Sequence, residues 1–447
     1  VANPLEQRPF DNFRVAITDP CDFFGRNDLL ERVQRSPFQV HILLGGRRIG
    51  KTSILRAVEW SLLNGGQAAH PVKHYKQQGT ARSLEETRSG WVKQLFPSFS
   101  KLLSSQSKLE SPVREGRRAF PVFINLQVEQ PKDLDCLRYL FIARLREAMA
   151  RWRQVPGVAL REMYRQFLTQ IVGGEVTLSF LTALNVKLNV TNPDHEQRLT
   201  HNDFRKALLK TINELQDWHF EGVCFLLDGA EFIVNQAWAN DAWSYLRGLK
   251  DTDIALKPFV GFFLSGYRSL KEYQQAVGSP LLNIAQVDWL TALTDAETRE
   301  LIAQRSENEK LQLTEAQIKL VLEWAGCHPY LTQQLLNIFF EDIRQGKSRS
   351  LESLTHELLR QLDHDFSAWW NDAQRPYSFG DAERAVYQAL IEHRQGTAES
   401  LAQQARLSYG EVADSLDVLT GTGVILKTDD EQYAIGARIF EEWVVQQ

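Results

Sequence analysis

The run "HILLGGRRIGKTSIL", His41 to Leu55, constrains the fold more than any other part of the chain. Gly45-Gly46-Arg47-Arg48-Ile49-Gly50-Lys51-Thr52 satisfies G-x-x-x-x-G-K-[ST]. Before it, Val40, Ile42, Leu43 and Leu44 read as a buried strand; after it, Ser53 to Leu63 has helical spacing. Gly45, Gly46 and Gly50 let successive backbone N–H groups turn inward on phosphates. Lys51 supplies a point charge to the outer phosphates, and Thr52 offers a hydroxyl to Mg²⁺ at the helix N-terminus, where Ser53 follows. Strand, loop and helix in that order imply an α/β P-loop fold with a parallel sheet flanked by helices.

Such a loop needs a second strand ending in an acid that holds the metal's water shell. "GVCFLLDGAEFI" supplies it: Val223 to Leu227 is a near-continuous apolar run, and Asp228 closes it. Thr52 and Asp228 are therefore the expected metal partners. Gly229 follows, where hydrolytic relatives place a glutamate, and the next acid is Glu231. Two readings stand for Glu231: a base that polarises the attacking water, or a solvated loop acid. A carboxylate displaced by two residues predicts slow or assisted hydrolysis.

Further strands are expected at Ala119 to Leu126 and Lys257 to Gly266, the latter ending in Ser265-Gly266 with Arg268 just beyond. Strand C-terminal ends line the ligand crevice of such a sheet, so Ser265 is either a sensor of the terminal phosphate or part of a plain turn. Leu134 to Trp152 and Asn202 to Leu215 read as helices and complete a βαβ alternation.

At 447 residues the chain has room for two to four domains. Its net charge of -5 excludes a surface that attracts nucleic acid everywhere. Cys21, Cys136, Cys224 and Cys327 lie far apart, without zinc or disulfide spacing, which fits a reducing cytosol. No apolar run reaches the roughly 20 residues of a membrane span, and no signal-peptide order is present. The first residue is Val1, so an upstream portion is expected. The ten histidines, among them His195, His201, His356 and His364, show no metal-ligand spacing.

"DFFGRNDLLERV", "GGRRIGKTSIL", "LLDGAE", "FFLSG" and "AGCHPYLTQQLL", in this order from about Asp22, resemble the STAND class of AAA+-related signal-transduction ATPases. The resemblance implies a nucleotide-binding domain, a helical lid and a winged helix, acting as an ADP-closed, ATP-open switch that oligomerises. It places Phe24, Gly25 and Arg26 near the adenine and phosphates, and His328-Pro329 of the lid against the base or ribose. The chain departs from the family at Gly229, and its winged helix shows no Met-His-Asp motif.

From Asp381 onward, helices, a hairpin at "VILKTDDEQYAI" and a last amphipathic segment read as a winged helix-turn-helix. Its second helix carries Glu411, Asp414 and Asp417, and its wing Asp429, Asp430 and Glu431. Facing DNA phosphates, those charges repel, so an internal lid or protein-docking module is expected. His70 to Arg118 reads as a polar, locally basic surface insertion. Val176 to Val190 reads as a half-buried hairpin, and Trp369-Trp370 as an interdomain packing point.

The domains expected are 1–35 as an N-terminal linker with the "FGR" stretch, 36–290 as the P-loop domain, 291–375 as an all-α lid and 376–447 as a winged helix. ATP or ADP with Mg²⁺ is the expected cofactor, held by Arg26, Gly45, Gly46, Gly50, Lys51, Thr52, Ser53, His328 and Pro329. Lys51, Asp228, Glu231 and Ser265 are the catalytic candidates. The expected protein is a cytoplasmic ATP/ADP switch that self-associates on ATP binding and acts on effector and sensor partners or flanking domains, in bacterial signalling or defence. Arg47, Arg48 or Arg268 is the candidate for reaching a neighbouring subunit's nucleotide. The alternative is a DNA-associated AAA+ ATPase of the replication-initiator or transposition-regulator type, and a binding-only scaffold is a third reading.

Overall fold

The computed structural model describes residues 16–17, 23–63, 117–152, 198–277, 281–308, 312–347, 351–370, 377–428 and 430–447. The expected insertion at 70–118, apart from its last two residues, the hairpin at 176–190 and His195 lie outside these.

A short helix α1 (Asn27–Arg35) leads into strand β1 (Val40–Leu44), every residue of which is buried, and the phosphate loop then opens helix α2 (Lys51–Leu63). β2 (Ala119–Asn125), α3 (Leu126–Glu129), α4 (Leu134–Trp152), α5 (His201–Gln216) and β3 (Gly222–Asp228) follow. Next come α6 (Glu231–Val234), α7 (Ala239–Asp251), β4 (Val260–Gly266), α8 (Arg268–Val277) and β5 (Gln286–Trp289).

The five strands form one parallel sheet in the order β2-β3-β4-β1-β5. Successive residues of a strand face opposite sides, and the core divides accordingly. Phe225 and Leu227 pack with Phe141, Phe204 and Trp243 on one face; Cys224 and Leu226 pack with Leu55 and Val58 on the other. Register pairs Asn125 with Asp228 and Leu43 with Ser265, so the C-terminal ends of β2, β3, β4 and β1 finish level. One strand, β4, separates the loop strand from the acid strand.

Four helices follow: α9 (Asp295–Asn308), α10 (Glu315–Ala325), α11 (Pro329–Arg344) and α12 (Leu351–Trp370). Thr314 and Gln317 form a capping box at the start of α10, an arrangement worth about 1 kcal/mol. Gly326, at φ 58°, ends α10, and Pro329 opens α11 in its first turn.

The C-terminal unit is α13 (Asp381–His393), β6 (Gln395–Gly396), α14 (Ala398–Ala405), α15 (Tyr409–Thr422), β7 (Ile425–Lys427), β8 (Tyr433–Ile435) and α16 (Arg438–Val445). A small antiparallel sheet, β6-β8-β7, completes a winged-helix arrangement. Its core is continuous with that of α9–α12. Phe366 and Trp369 of α12 pack on Phe440, and Trp443 donates its indole N–H to Asp363 at 2.9 Å.

Fully buried Phe366 touches Trp369, Phe440 and Trp443 across that junction. Phe366→Ala is expected to remove about 3–5 kcal/mol of stability from α9–α16 as one unit. Urea unfolding followed by tryptophan fluorescence checks this. A loss below about 1 kcal/mol would mean that the two parts do not share a working core.

Candidate nucleotide site

Level strand ends bring Asp228 and Ser265 side by side. Asp228, at the end of β3, accepts from Thr52 Oγ1 at 2.9 Å and from Ser265 Oγ at 2.6 Å; Asn125 Nδ2 stands 3.4 Å away. Ser265 is completely buried. Its hydroxyl therefore orients the Asp228 carboxylate. A hydroxyl and a carboxylate this close suit a hard divalent cation bound through the hydroxyl and through water, as Mg²⁺ prefers.

Lys51 Nζ donates to the carbonyls of Gly45 at 2.7 Å and Gly46 at 2.8 Å, so the ammonium lies folded along its own loop. Burial pulls its pKa below the usual lysine range, opposed by the carboxylates of Glu231 and Asp228. Glu231, at the start of α6, turns back into the cleft: Gln127 Nε2 donates to one carboxylate oxygen at 2.8 Å, and the other is buried without a partner. Burial raises its pKa, with Lys51 opposing. The displacement by two residues thus does not send this acid into solvent.

The cleft encloses about 390 Å³. Gly50, Lys51, Thr52, Gln127, Asp228 and Glu231 line its polar part, and Phe23, Phe24, Leu293, Leu301 and Pro329 its apolar part. Ser53 also lines it, and its hydroxyl accepts from the Ile17 N–H at 3.2 Å. Arg26 lines it while donating to the carbonyls of Thr291 and Ala292, and its own N–H donates to Glu297 at 2.6 Å. Burial pulls this guanidinium down to about 10, still charged at neutral pH.

Other expected residues lie away from the cleft or are held within the chain. His328 does not line the cleft. It is the N-cap of α11, with Nδ1 accepting from the Tyr330 N–H at 3.2 Å, and its buried ring stacks on Trp369 at 5.7 Å. Burial pushes it down to about 3, so it stays neutral. Gly45 and Gly46 do not line the cleft either: Gly45 donates its N–H to Gly266 at 3.2 Å, and Gly46 donates to Gly421, in the last turn of α15, at 2.7 Å. The three arginines considered for a neighbouring subunit all have partners within the chain. Arg47 donates to the Tyr377 hydroxyl at 3.1 Å, Arg48 to Asp365 at 2.9 Å, and Arg268 to Glu383 at 3.0 Å.

Asn125, Gln127, Tyr330 and Asp365 were not singled out from the sequence. Asn125 and Gln127 follow a strand end, which is the signal that would have found them. Tyr330 and Asp365 offered none. Tyr330 lies under the Arg48 guanidinium at 4.4 Å and donates its hydroxyl to Asp365 at 2.7 Å.

No family model matches the sequence, and no curated protein matches it. By structure the chain is similar to the Walker-type ATPase PABY2304 of Pyrococcus abyssi, at 14% identity over 98% of this chain and 99% of that one, with a TM-score of 0.50. The fold is that of a P-loop NTPase. Lower similarities include the Aeropyrum pernix ORC2 protein in its ADPNP-ADP complexes (11% identity, 98% of each chain, TM-score 0.39). The Aeropyrum pernix ORC1 protein in complex with DNA is another (11% identity, 99% of this chain and 97% of that one, TM-score 0.38).

Two outcomes follow from this geometry. Asp228→Asn is expected to abolish the gain in ATP affinity that Mg²⁺ brings while leaving metal-free binding within about twofold; titration calorimetry with and without Mg²⁺ decides. If Glu231 is the base, ATP turnover falls as pH drops through its raised pKa, so the acid limb lies above about 4.5, the ordinary carboxylate value. That limb is absent in Glu231→Gln; an identical pH profile in the variant would remove Glu231 from the chemistry.

Proposed function

We propose that this chain is an ATP-controlled switch in which nucleotide in the cleft governs whether the winged helix stays docked on the phosphate loop. The observation that carries this reading is the Gly46 N–H bonded to the Gly421 carbonyl at 2.7 Å. A change in the loop on binding phosphates is felt directly at α15.

The loop's side chains extend the coupling. Arg47 and Arg48 both line the cleft, and both are engaged by residues outside the P-loop domain, Tyr377 and Asp365. A triphosphate is a stronger partner for the Arg47 guanidinium than a neutral phenol, because charge-assisted hydrogen bonds are about twice as strong as neutral ones, and it offers Arg48 more negative charge than the single carboxylate of Asp365. Its terminal phosphate therefore binds the released state better than the docked one, the differential affinity a switch requires. Bound Mg²⁺ would be held by Thr52 and Asp228 and would neutralise the outer phosphates. Glu231, half-buried and bonded by Gln127, would take a proton from water. Hydrolysis returns the chain to its docked form, and slow turnover suits that timer role.

What the freed winged helix meets separates two finer readings. In the STAND-type reading it uncovers a self-association surface that controls an effector. In the DNA-associated reading α15 enters a groove. Asp414 and Asp417 of α15 are tied to Lys271 of α8 at 2.9 and 3.0 Å, and their negative charge favours the first.

Lys271→Glu replaces those two ion pairs with repulsion and is expected to loosen the winged helix. Release of bound ADP should then speed up by about fivefold, on the premise that two half-exposed pairs contribute about 1 kcal/mol together. Stopped-flow release of a fluorescent ADP analogue, alongside phosphate release in the parent chain and Lys51→Ala, tests the proposal. It fails if the parent chain releases no phosphate beyond the Lys51→Ala level and Lys271→Glu leaves ADP release unchanged. Tight duplex binding that weakens steeply with salt would favour the DNA-associated reading instead.

A further inference from the structure

Gln333 lies in the second turn of α11, one helical turn after Pro329 and on the same face. Pro329, Tyr330 and Gln333 are the α11 residues that line the cleft. Gln333 is only 7% exposed, and its Oε1 is buried with no hydrogen-bond partner. Leaving such a group unpaired costs about 1–3 kcal/mol, so a native chain keeps it for a reason. The same cleft is lined by Phe24, Leu293, Leu301 and Tyr330, which belong to one packed cluster. A polar amide set in an apolar slot fits the description of a site that binds a flat ring and reads one edge of it.

The chemistry of that edge narrows the ring. A primary amide offers one acceptor and two donors side by side, which matches the 6-amino group of adenine and the neighbouring ring nitrogen. Guanine would bring a 2-amino group that needs a further acceptor. The nearby acids are already engaged: Glu297 accepts from Arg26 N–H at 2.6 Å and from Thr294 N–H at 2.8 Å, and Asp365 accepts from the Tyr330 hydroxyl at 2.7 Å. Arg26, the charged group that would suit guanine's two Hoogsteen acceptors, is bonded to the carbonyls of Thr291 and Ala292. We propose that Gln333 is the base-reading residue of the cleft and selects adenine through its 6-amino group. The inference rests on the nucleotide reading above and adds the residue that chooses the base.

The test compares ATP, GTP and purine riboside triphosphate, which lacks the 6-amino group, on the full chain by titration calorimetry, with inorganic pyrophosphate as a probe of the phosphate end alone. The unaltered chain should bind ATP at least about tenfold tighter than either other triphosphate. Gln333→Met, close in volume and helix-compatible, should weaken ATP by about the same factor, weaken purine riboside triphosphate, which keeps the ring nitrogen, by less, and leave pyrophosphate unchanged. Gln333→Leu provides a second apolar replacement if the first fails to fold, and unchanged pyrophosphate binding certifies that the site is intact. A preference for ATP that persists in both variants overturns the proposal, as does a loss that falls on GTP instead of ATP. Equal binding of all three triphosphates by the unaltered chain refutes the role of Gln333 and leaves the nucleotide site standing. No binding of any of them, nor of pyrophosphate, refutes the site itself.

Discussion

The phosphate loop is gripped from outside its own domain, and the arrangement of the remaining units depends on that grip. Gly46 bonds to α15, Arg47 to Tyr377 and Arg48 to Asp365 of α12. Each contact is modest alone, but Arg48 and Asp365 are three-quarters or more buried and share Tyr330 as a third member. Removing one partner from a buried pair costs about 3–5 kcal/mol, which makes this contact the costliest of the three to break by substitution. A loop so held changes shape only together with the helices that hold it.

Glycines make the approach possible. A Cβ on Gly46 would lie 2.8 Å from the Thr422 Cα, and one on Gly421 would lie 2.3 Å from the Trp289 ring. Two backbones meet where side chains would keep them apart. Ion pairs further out, Arg268 with Glu383 and Lys271 with Asp414 and Asp417, hold the winged helix in the same orientation. Lys271 and its two aspartates lie nearer solvent, are screened by salt and are worth little singly, whereas Arg268 and Glu383 are about as buried as Arg48 and Asp365. The close contact at the loop fixes the geometry, and the outer pairs bias it.

Much of the P-loop half was legible in the sequence because its signals are local. The apolar runs ending at Leu44, Asp228 and Gly266 appear as β1, β3 and β4, and Asp228 meets Thr52 as the motif requires. β5 went unread because Gln286-Val287-Asp288-Trp289 is short and half polar, as an edge strand beside β1 can be. The partners of Arg47 and Arg48 lie 330 and 317 residues away, beyond the reach of any spacing rule. His328 was misplaced for a local reason: its sequence neighbour Pro329 reaches the cleft, while N-capping folds the imidazole over the start of α11. Gln333 reads in sequence as one polar residue of an amphipathic helix, and only packing reveals that it is buried.

Hydrogen exchange at the loop and at α15 tests the central claim most directly. With ADP, the Gly46 amide and the backbone of 409–422 should exchange slowly together; with ATP and Mg²⁺, both should speed up by at least about tenfold, while β3 and β4 stay protected. Exchange at α15 that is the same with either nucleotide, or that changes without the loop, would contradict a winged helix latched to the phosphate loop.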